Sequence, residues 1–381
     1  MDAFLSARLF TGDEMRRDAA ALVEGGIVHA VVAAAAIPAG ARRIDLGDAL
    51  LAPGFIDLQV NGGGGTLFND DPSLAALARI AAAHRRFGTT GLLPTLISAS
   101  RDRRLAARAA VAEALALGMP GILGLHLEGP HLNPERRGVH EARWFAPPEA
   151  EDLALMAPLP GGVTLVTLAP EVVPPETIAS LATGGTVLAA GHSAASYETT
   201  RAALAAGVSG FTHLFNAMPA MTSREPGIVG AALDDRTSWC GLIADGHHLH
   251  DATLRLVWRA KPKGALVLVT DAMPPVGGDA AGAPIESFRL GDELITVSGG
   301  SCLSATGRLA GSALDMATAV RRCVTRIGIP LEEALAMAST NPARALGISD
   351  RRGRIAAGLR ADFVVLDADL RVRETYLNGR S

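Results

Sequence analysis

The sequence predicts an α/β protein built on a closed barrel of eight parallel strands, with β-rich segments at both chain ends. Three observations carry this. Apolar, strand-like runs alternate with alanine-rich helical segments through the middle of the chain. Eight such strands are found, the number that closes a (β/α)8 barrel. The chain has 381 residues, whereas a barrel alone uses roughly 250, so a remainder is left for a second unit.

The elements follow in order. The first fifty residues read as short strands broken by turns, "ARLFTGDEM", "AALVEGGIVHAVV" and "RRIDLGDALLAPG", with Gly25-Gly26 marking a tight hairpin. "GFIDLQV" then opens the alternation. It precedes "PSLAALARIAAAHRRFG", whose Leu74, Leu77 and Ile80 share one helical face. "TGLLPTL", "GILGLHLEG", "VTLVTLAPE", "TVLAAGHS", "GFTHLFN", "WCGLIADG" and "ALVLVTDA" supply the other strands, with helices such as "ETTRAALAAG" and "DATLRLVWRA" between them. The last thirty residues return to strands and Gly or Asp turns. An open doubly wound sheet is the alternative, but no G-x-G-x-x-G opens a helix.

Composition narrows the function. With 49% hydrophobic and 19% charged residues, a large core is available. A net charge of -4, a pI near 6.2 and no basic run argue against a nucleic-acid partner. Val31 to Ile37 is too short an apolar run to cross a bilayer, so no membrane partner is expected. Cys240, Cys302 and Cys323 are scattered and read as buried small apolar residues in a reduced compartment. Met1-Asp2-Ala3 has no basic leader, and a cytoplasmic location is the expectation.

Polar residues stand where the strands end. They are Glu128, His192, His213 with Asn216, Asp245 with His247 and His248, and Asp271. Singly, such a histidine is most often a packing or loop residue and such an aspartate a helix N-cap. Together, at the C-terminal rim of a parallel barrel, they converge on one site. His29 and His84 read as structural or solvated. His126 alternates with Glu128 and can share its side, and the sequence assigns no role to His131 or His250. After Asp57 the alternating positions are Gln59 and Asn61, amides that make poor zinc ligands.

"PGFIDLQVNGGGG", "HLEGPHLNPERRGVH", "GHS", "THLFNAM", "REPGIVG", "IADGHHLH", "VTDAM" and "LAGSALDM" occur in this order, and "GRIAAGLRADFVVLD" closes the chain. In this combination, across almost its whole length, the chain resembles the N-acetylglucosamine-6-phosphate deacetylase family of the amidohydrolase superfamily. The resemblance implies a distorted (β/α)8 TIM barrel with a small β-sandwich made by both chain ends. Residues 1–52 and 353–381 would form the sandwich and 53–352 the barrel.

The resemblance also implies a site. Glu128, His192 and His213 would hold one divalent metal ion per chain, zinc in the first instance, with iron or another divalent ion fitting the same ligands. Asp271 would be general base and then general acid. His140 would contact the substrate and stabilise the oxyanion. Val139, Asn216, Ala217, Arg224, His248, Leu309, Ala310 and Gly311 would line the sugar-phosphate site. Arg224 would reach the neighbouring active site of a homodimer. His247 stands where the family pattern expects an apolar residue. Members carry either a His-x-His pair with two metals or Gln-x-Asn with one, and Gln59 and Asn61 replace the second-metal ligands here. The expected reaction is hydrolysis of N-acetylglucosamine 6-phosphate to glucosamine 6-phosphate and acetate. The alternatives are another amidohydrolase, such as a D-aminoacylase or a dihydroorotase-like enzyme, and a non-catalytic barrel scaffold.

Overall fold

A computed structural model describes all 381 residues. Eight fully or largely apolar strands lie side by side in chain order, parallel throughout. They are β1 (Phe55–Val60), β2 (Thr89–Ile97), β3 (Gly124–Glu128), β4 (Val163–Leu168), β5 (Val187–Ala190), β6 (Gly210–Phe211), β7 (Trp239–Leu242) and β8 (Leu266–Leu268). A bridge between Val60 and Ala272 joins the last strand's extension to the first and closes the ring. Helices return the chain along the outside: α1 (Leu74–Arg85), α2 (Arg101–Ala116), α3 (Ala150–Met156), α4 (Pro175–Thr183), α5 (Tyr197–Ala206), α6 (Gly227–Asp234), α7 (Asp251–Ala260) and α8 (Met316–Arg322). Ser73, Ser100, Ser196 and Asp315 cap α1, α2, α5 and α8 by accepting backbone N–H groups. Leu77 and Ile80 of α1 are buried in a core cluster that runs through barrel and helices, with Leu74 packed against it. No helix is long and apolar enough to cross a membrane.

The two chain ends meet in one seven-stranded mixed sheet. Its strands are Asp2–Phe10, Met15–Glu24, Ile27–Ala33, Arg42–Asp45, Leu50–Pro53, Phe363–Leu366 and Val372–Tyr376. Asp2–Phe10 pairs Arg42–Asp45 along its first half and Leu50–Pro53 along its second, so the sheet splits there. Phe4, Leu51, Phe363 and Tyr376 fill its own core, with edge-on aromatic contacts.

One element was not foreseen. Between β8 and α8 a four-stranded antiparallel sheet is inserted, Ser287–Leu290, Glu293–Ser298, Ser301–Ser304 and Leu309–Ser312. Its last strand is stitched to the end of the barrel through an Ala272–Ser312 bridge. The insert therefore sits over the strand C-termini, as a roof.

Candidate active site

Glu128 is the last residue of β3, and His192 and His213 stand two residues beyond the ends of β5 and β6. Their donor atoms form a triangle. His192 Nε2 lies 3.2 Å and His213 Nε2 3.0 Å from Glu128 Oε1, and the two nitrogens are 3.1 Å apart. His192 Nδ1 donates to the carbonyl of Arg136 at 2.8 Å, so in its neutral form the ring presents a bare lone pair at Nε2. Lone pairs this close repel unless a cation lies among them. A proton on His213 is one such cation. Burial pushes its imidazole down, but the contact with Glu128 more than offsets this and its pKa is raised. Burial likewise pushes Glu128 up, yet His192 and His213 hold its carboxyl well below the usual range. A divalent ion is the other cation. Two imidazoles and a carboxylate suit zinc, and a tetrahedral ion with bonds of about 2.0–2.1 Å wants ligand atoms roughly 3.3 Å apart, close to the separations found.

Asp271 follows β8 on the far side of the same group, and Gln59 and Asn61 lie between. Gln59 Nε2 donates to both oxygens of Glu128 at 3.1 Å and to Asp271 Oδ1 at 3.2 Å. Asn61 Nδ2 donates to the same Asp271 oxygen at 2.6 Å. An amide nitrogen thus bridges the two carboxylates. Burial, and then the charge of Glu128, push the Asp271 carboxyl up to about 6, with His213, His248 and Asn61 opposing.

His140 reaches the cluster from the loop after β3, its donor atom within 4.8 Å of those of Glu128 and His192. The three atoms at 3.0–3.2 Å make the better metal set. The tautomer assigned from its partners also separates His140 from the ligands. The backbone N–H of Ser98 points at Nδ1 at 3.4 Å, and Ser98 Oγ lies 2.9 Å away, which puts the ring proton on Nε2, toward the cleft. Burial first, and then His192, push its pKa down to about 3, so it is a neutral donor.

These groups floor a cleft of about 150 Å³. Asn61, Glu128, Val139, His140, His192, His213, Asn216, Ala217, His248, Asp271, Leu309 and Gly311 line it. Gln59 lies beneath. Ala310 turns its side chain away into the roof's core, as alternation along Leu309–Ser312 requires. The Asn216 side-chain amide nitrogen is tied to the carbonyl of His213 at 3.1 Å, leaving its oxygen for a ligand. Arg224 is not in the cleft. It is exposed on the loop before α6 and makes no ion pair within the chain. No Arg or Lys lines the cleft at all. A larger cleft, of about 480 Å³, lies between the terminal sheet and α7, but it holds none of these groups.

Some supporting residues escaped the sequence reading. Asp57 accepts from Thr270 Oγ1 at 2.5 Å and from its backbone N–H at 3.2 Å, anchoring the residue before Asp271. Ser98 orients His140, and Leu67, Asn69, Ile97, Gly138, Met273 and Leu290 complete the lining. Only Asp57 carried a signal, its place two residues before Gln59 on β1. His29 is exposed, and four other histidines make structural contacts. His126 bonds Thr95 at 3.1 Å and Thr167 at 2.8 Å inside the barrel, His84 is buried against the carbonyl of Gly62, His131 bonds the carbonyl of Ala146, and His250 caps α7. His247 Nε2 donates to the carbonyl of Gly299 at 3.0 Å, tying the roof to the loop after β7.

Residues 50–381 match the amidohydrolase family. The chain is 45% identical over 329 residues to an N-acetylgalactosamine-6-phosphate deacetylase of Shewanella sp. (strain ANA-3), covering 86% of this chain and 82% of that protein. It is 34% identical over 381 residues to an N-acetylglucosamine-6-phosphate deacetylase of Haemophilus influenzae, covering 99% and 98%. The crystal structure of N-acetylglucosamine-6-phosphate deacetylase from Pasteurella multocida superposes with a TM-score of 0.94 at 34% identity, over 99% of this chain and 98% of that one.

Proposed function

The chain belongs to the amidohydrolase family, among the N-acetylglucosamine-6-phosphate deacetylases, and on that premise we propose how it cleaves the acetamide of N-acetylglucosamine 6-phosphate. The observation that carries the reading is the Glu128–His192–His213 triangle beside a separately held Asp271 on the floor of one cleft. Glu128, His192 and His213 would hold a divalent ion, zinc by their donor set, which would supply a water with its pKa lowered to about 7. Asp271 takes the proton as the water attacks the acetyl carbonyl, and returns it to the sugar nitrogen as the C–N bond breaks. His140 Nε2–H donates to the carbonyl oxygen as it gains charge. Asn61 and Gln59 hold Asp271 on one oxygen and leave the other for the proton. Acetate and glucosamine 6-phosphate leave.

The 6-phosphate lies toward His248, Asn216 and Ala217, whose backbone N–H makes no bond within the chain. A phosphate beside Glu128 and Asp271 needs a fixed cation, and the cleft contains none. Arg224 of a second copy supplies it in a homodimer. Val139, Leu309 and Gly311 line the sugar. The buried free cysteines fit a reduced cytoplasm. The 45% identity to a galactosamine enzyme favours a second reading, in which the C4 epimer is also a substrate. Acetate release from N-acetylglucosamine 6-phosphate, N-acetylgalactosamine 6-phosphate and unphosphorylated N-acetylglucosamine tests all of this. A clear preference for the phosphorylated sugars is expected. No acetate from any of them would overturn the reading.

A further inference from the structure

The loop after β7 holds a buried carboxylate–imidazole pair. The side chains of Asp245 and His248 are 3% and 5% exposed. Asp245 Oδ1 accepts the backbone N–H of His247 at 2.8 Å and of His248 at 2.9 Å. Its Oδ2 accepts His248 Nδ1–H at 2.7 Å. Gly246 permits the turn, with φ of +85° and the Arg322 guanidinium 2.2 Å from where a Cβ would sit. Arg322 braces the loop from below through the carbonyl of Ala244 at 3.0 Å. With Nδ1 committed, Nε2 is the only free ring nitrogen. The ring's only hydrogen bond is the one at Nδ1, and His248 lines the cleft.

A turn alone does not need this carboxylate. The two backbone N–H contacts would be met by any side-chain carbonyl, as in an Asn turn. The contact to Nδ1 is what a carboxylate adds. The oxygens of a phosphate dianion can only accept. Nε2 must carry a proton when it meets one, while Nδ1 keeps its own for Asp245. The ring that binds the anion is therefore an imidazolium, and Asp245 balances its charge from behind.

We propose that Asp245 is a positioning residue for the anionic end of the substrate, fixing the ring of His248 and carrying the counter-charge that lets it act as a cation in the complex. This rests on the sugar-phosphate reading above. Asp245 touches no substrate atom, so it sets KM for phosphorylated substrates and not kcat.

Asp245→Asn tests this with little disturbance of the turn. Its Oδ1 still accepts both backbone N–H groups, but its amide nitrogen now donates to His248 Nδ1, leaving a neutral ring with a proton on Nε2. KM for N-acetylglucosamine 6-phosphate should rise about tenfold, the difference between a charged and a neutral hydrogen bond, with kcat little changed. Inhibition by inorganic phosphate should weaken in parallel, and unphosphorylated N-acetylglucosamine should respond much less. In a His248→Gln background, Asp245→Asn should add nothing. Equal loss on both sugars, or additive loss in the double variant, overturns the proposal and makes Asp245 a support of the fold. If His248→Gln raises KM selectively but Asp245→Asn does not, this inference alone fails. If His248→Gln does not distinguish the sugars, the placement of the phosphate fails and takes the inference with it. Should Asp245→Asn not fold, ¹⁵N-histidine spectra of the wild-type protein saturated with inorganic phosphate decide. Both ring nitrogens of His248 should be protonated, and a singly protonated ring would overturn the proposal.

Discussion

Asp271 is held in a conformation and in an electrostatic setting that both cost energy. Its φ is +52°, and those of His192 and His213 are +48° and +28°. Left-handed backbone at a residue other than glycine costs about 1–3 kcal/mol, and here it turns three strand ends inward over one point. Asp271→Asn should keep the fold and the metal but lower kcat by about 10²–10⁴, the worth of general acid–base catalysis. Wild-type turnover in that variant would remove Asp271 from the mechanism. The base must be ionised, so kcat/KM should fall on the acid side. Burial and Glu128 push the free carboxyl up to about 6, and a bound cation lowers it, so this limb should lie below about pH 6. It should be missing from the residual activity of the Asn variant. Gln59 governs the second prediction at this scale. Its amide donates to both Glu128 and Asp271, and an amide is a poor ligand for a second divalent ion. Elemental analysis of protein purified without chelator should give one tight metal per chain, and two tight equivalents, both needed for activity, would contradict it.

The elements differ in how plainly the sequence announced them, and the reason is burial. β6, β7 and β8 are buried along their whole length and carry no polar side chain, so they read as unbroken apolar runs. His213, Asp245 and Asp271, which follow them, were legible for the same reason, because a His or Asp soon after such a run stands out. The roof was not legible. Ser287–Leu290 and Glu293–Ser298 are mostly exposed or half-buried, and their polar sequence resembles loop. Backbone angles, tautomers and the bridging position of Gln59 depend on contacts between distant strands, which no single stretch encodes. The roof has its own small core of Leu67, Met273, Leu290, Ile295, Cys302 and Ala310, six buried residues against 71 in the main cluster. Such a satellite should open separately from the barrel. An Ile→Ala change in a core costs about 2–5 kcal/mol. Ile295→Ala should spend most of that on the roof, speeding hydrogen exchange across residues 287–312 and raising KM, with a small change in Tm. A full drop in Tm with KM unchanged would mean that the roof and barrel unfold as one.

At the scale of the whole molecule the question is whether one chain makes a complete site. The cleft brings Glu128, His192, His213, Asp271, His140 and His248 together, but holds no guanidinium or ammonium for a phosphate. Arg224 lies outside it, on a loop that is ordered by its own contacts. Glu225 accepts the backbone N–H of Tyr197 at 3.0 Å and of Gly227 at 2.8 Å, and Thr222 Oγ1 donates to the carbonyl of Glu225 at 2.9 Å. Beside it Met221 is 56% exposed. In the proposed two-fold dimer each copy would present this braced turn, with its unpaired arginine and exposed Met221, to the other's cleft. Arg224→Ala should then lower kcat/KM for the phosphorylated sugar by roughly ten- to a hundredfold, the worth of one hydrogen bond to a charged group, mostly through KM. The unphosphorylated sugar has no phosphate to lose and should hardly notice. Substrate preference alone does not tell whether the arginine acts within its own chain or across a dimer, but mixing variants does. Arg224→Ala chains have an intact base, and Asp271→Asn chains have an intact arginine. In a mixed dimer the cleft of the first receives the arginine of the second and is whole. Unfolding and refolding the two variants together should therefore restore activity at low substrate that neither shows alone. If activity is no greater than the average of the parents while mixed dimers are demonstrably present, Arg224 serves its own chain or none.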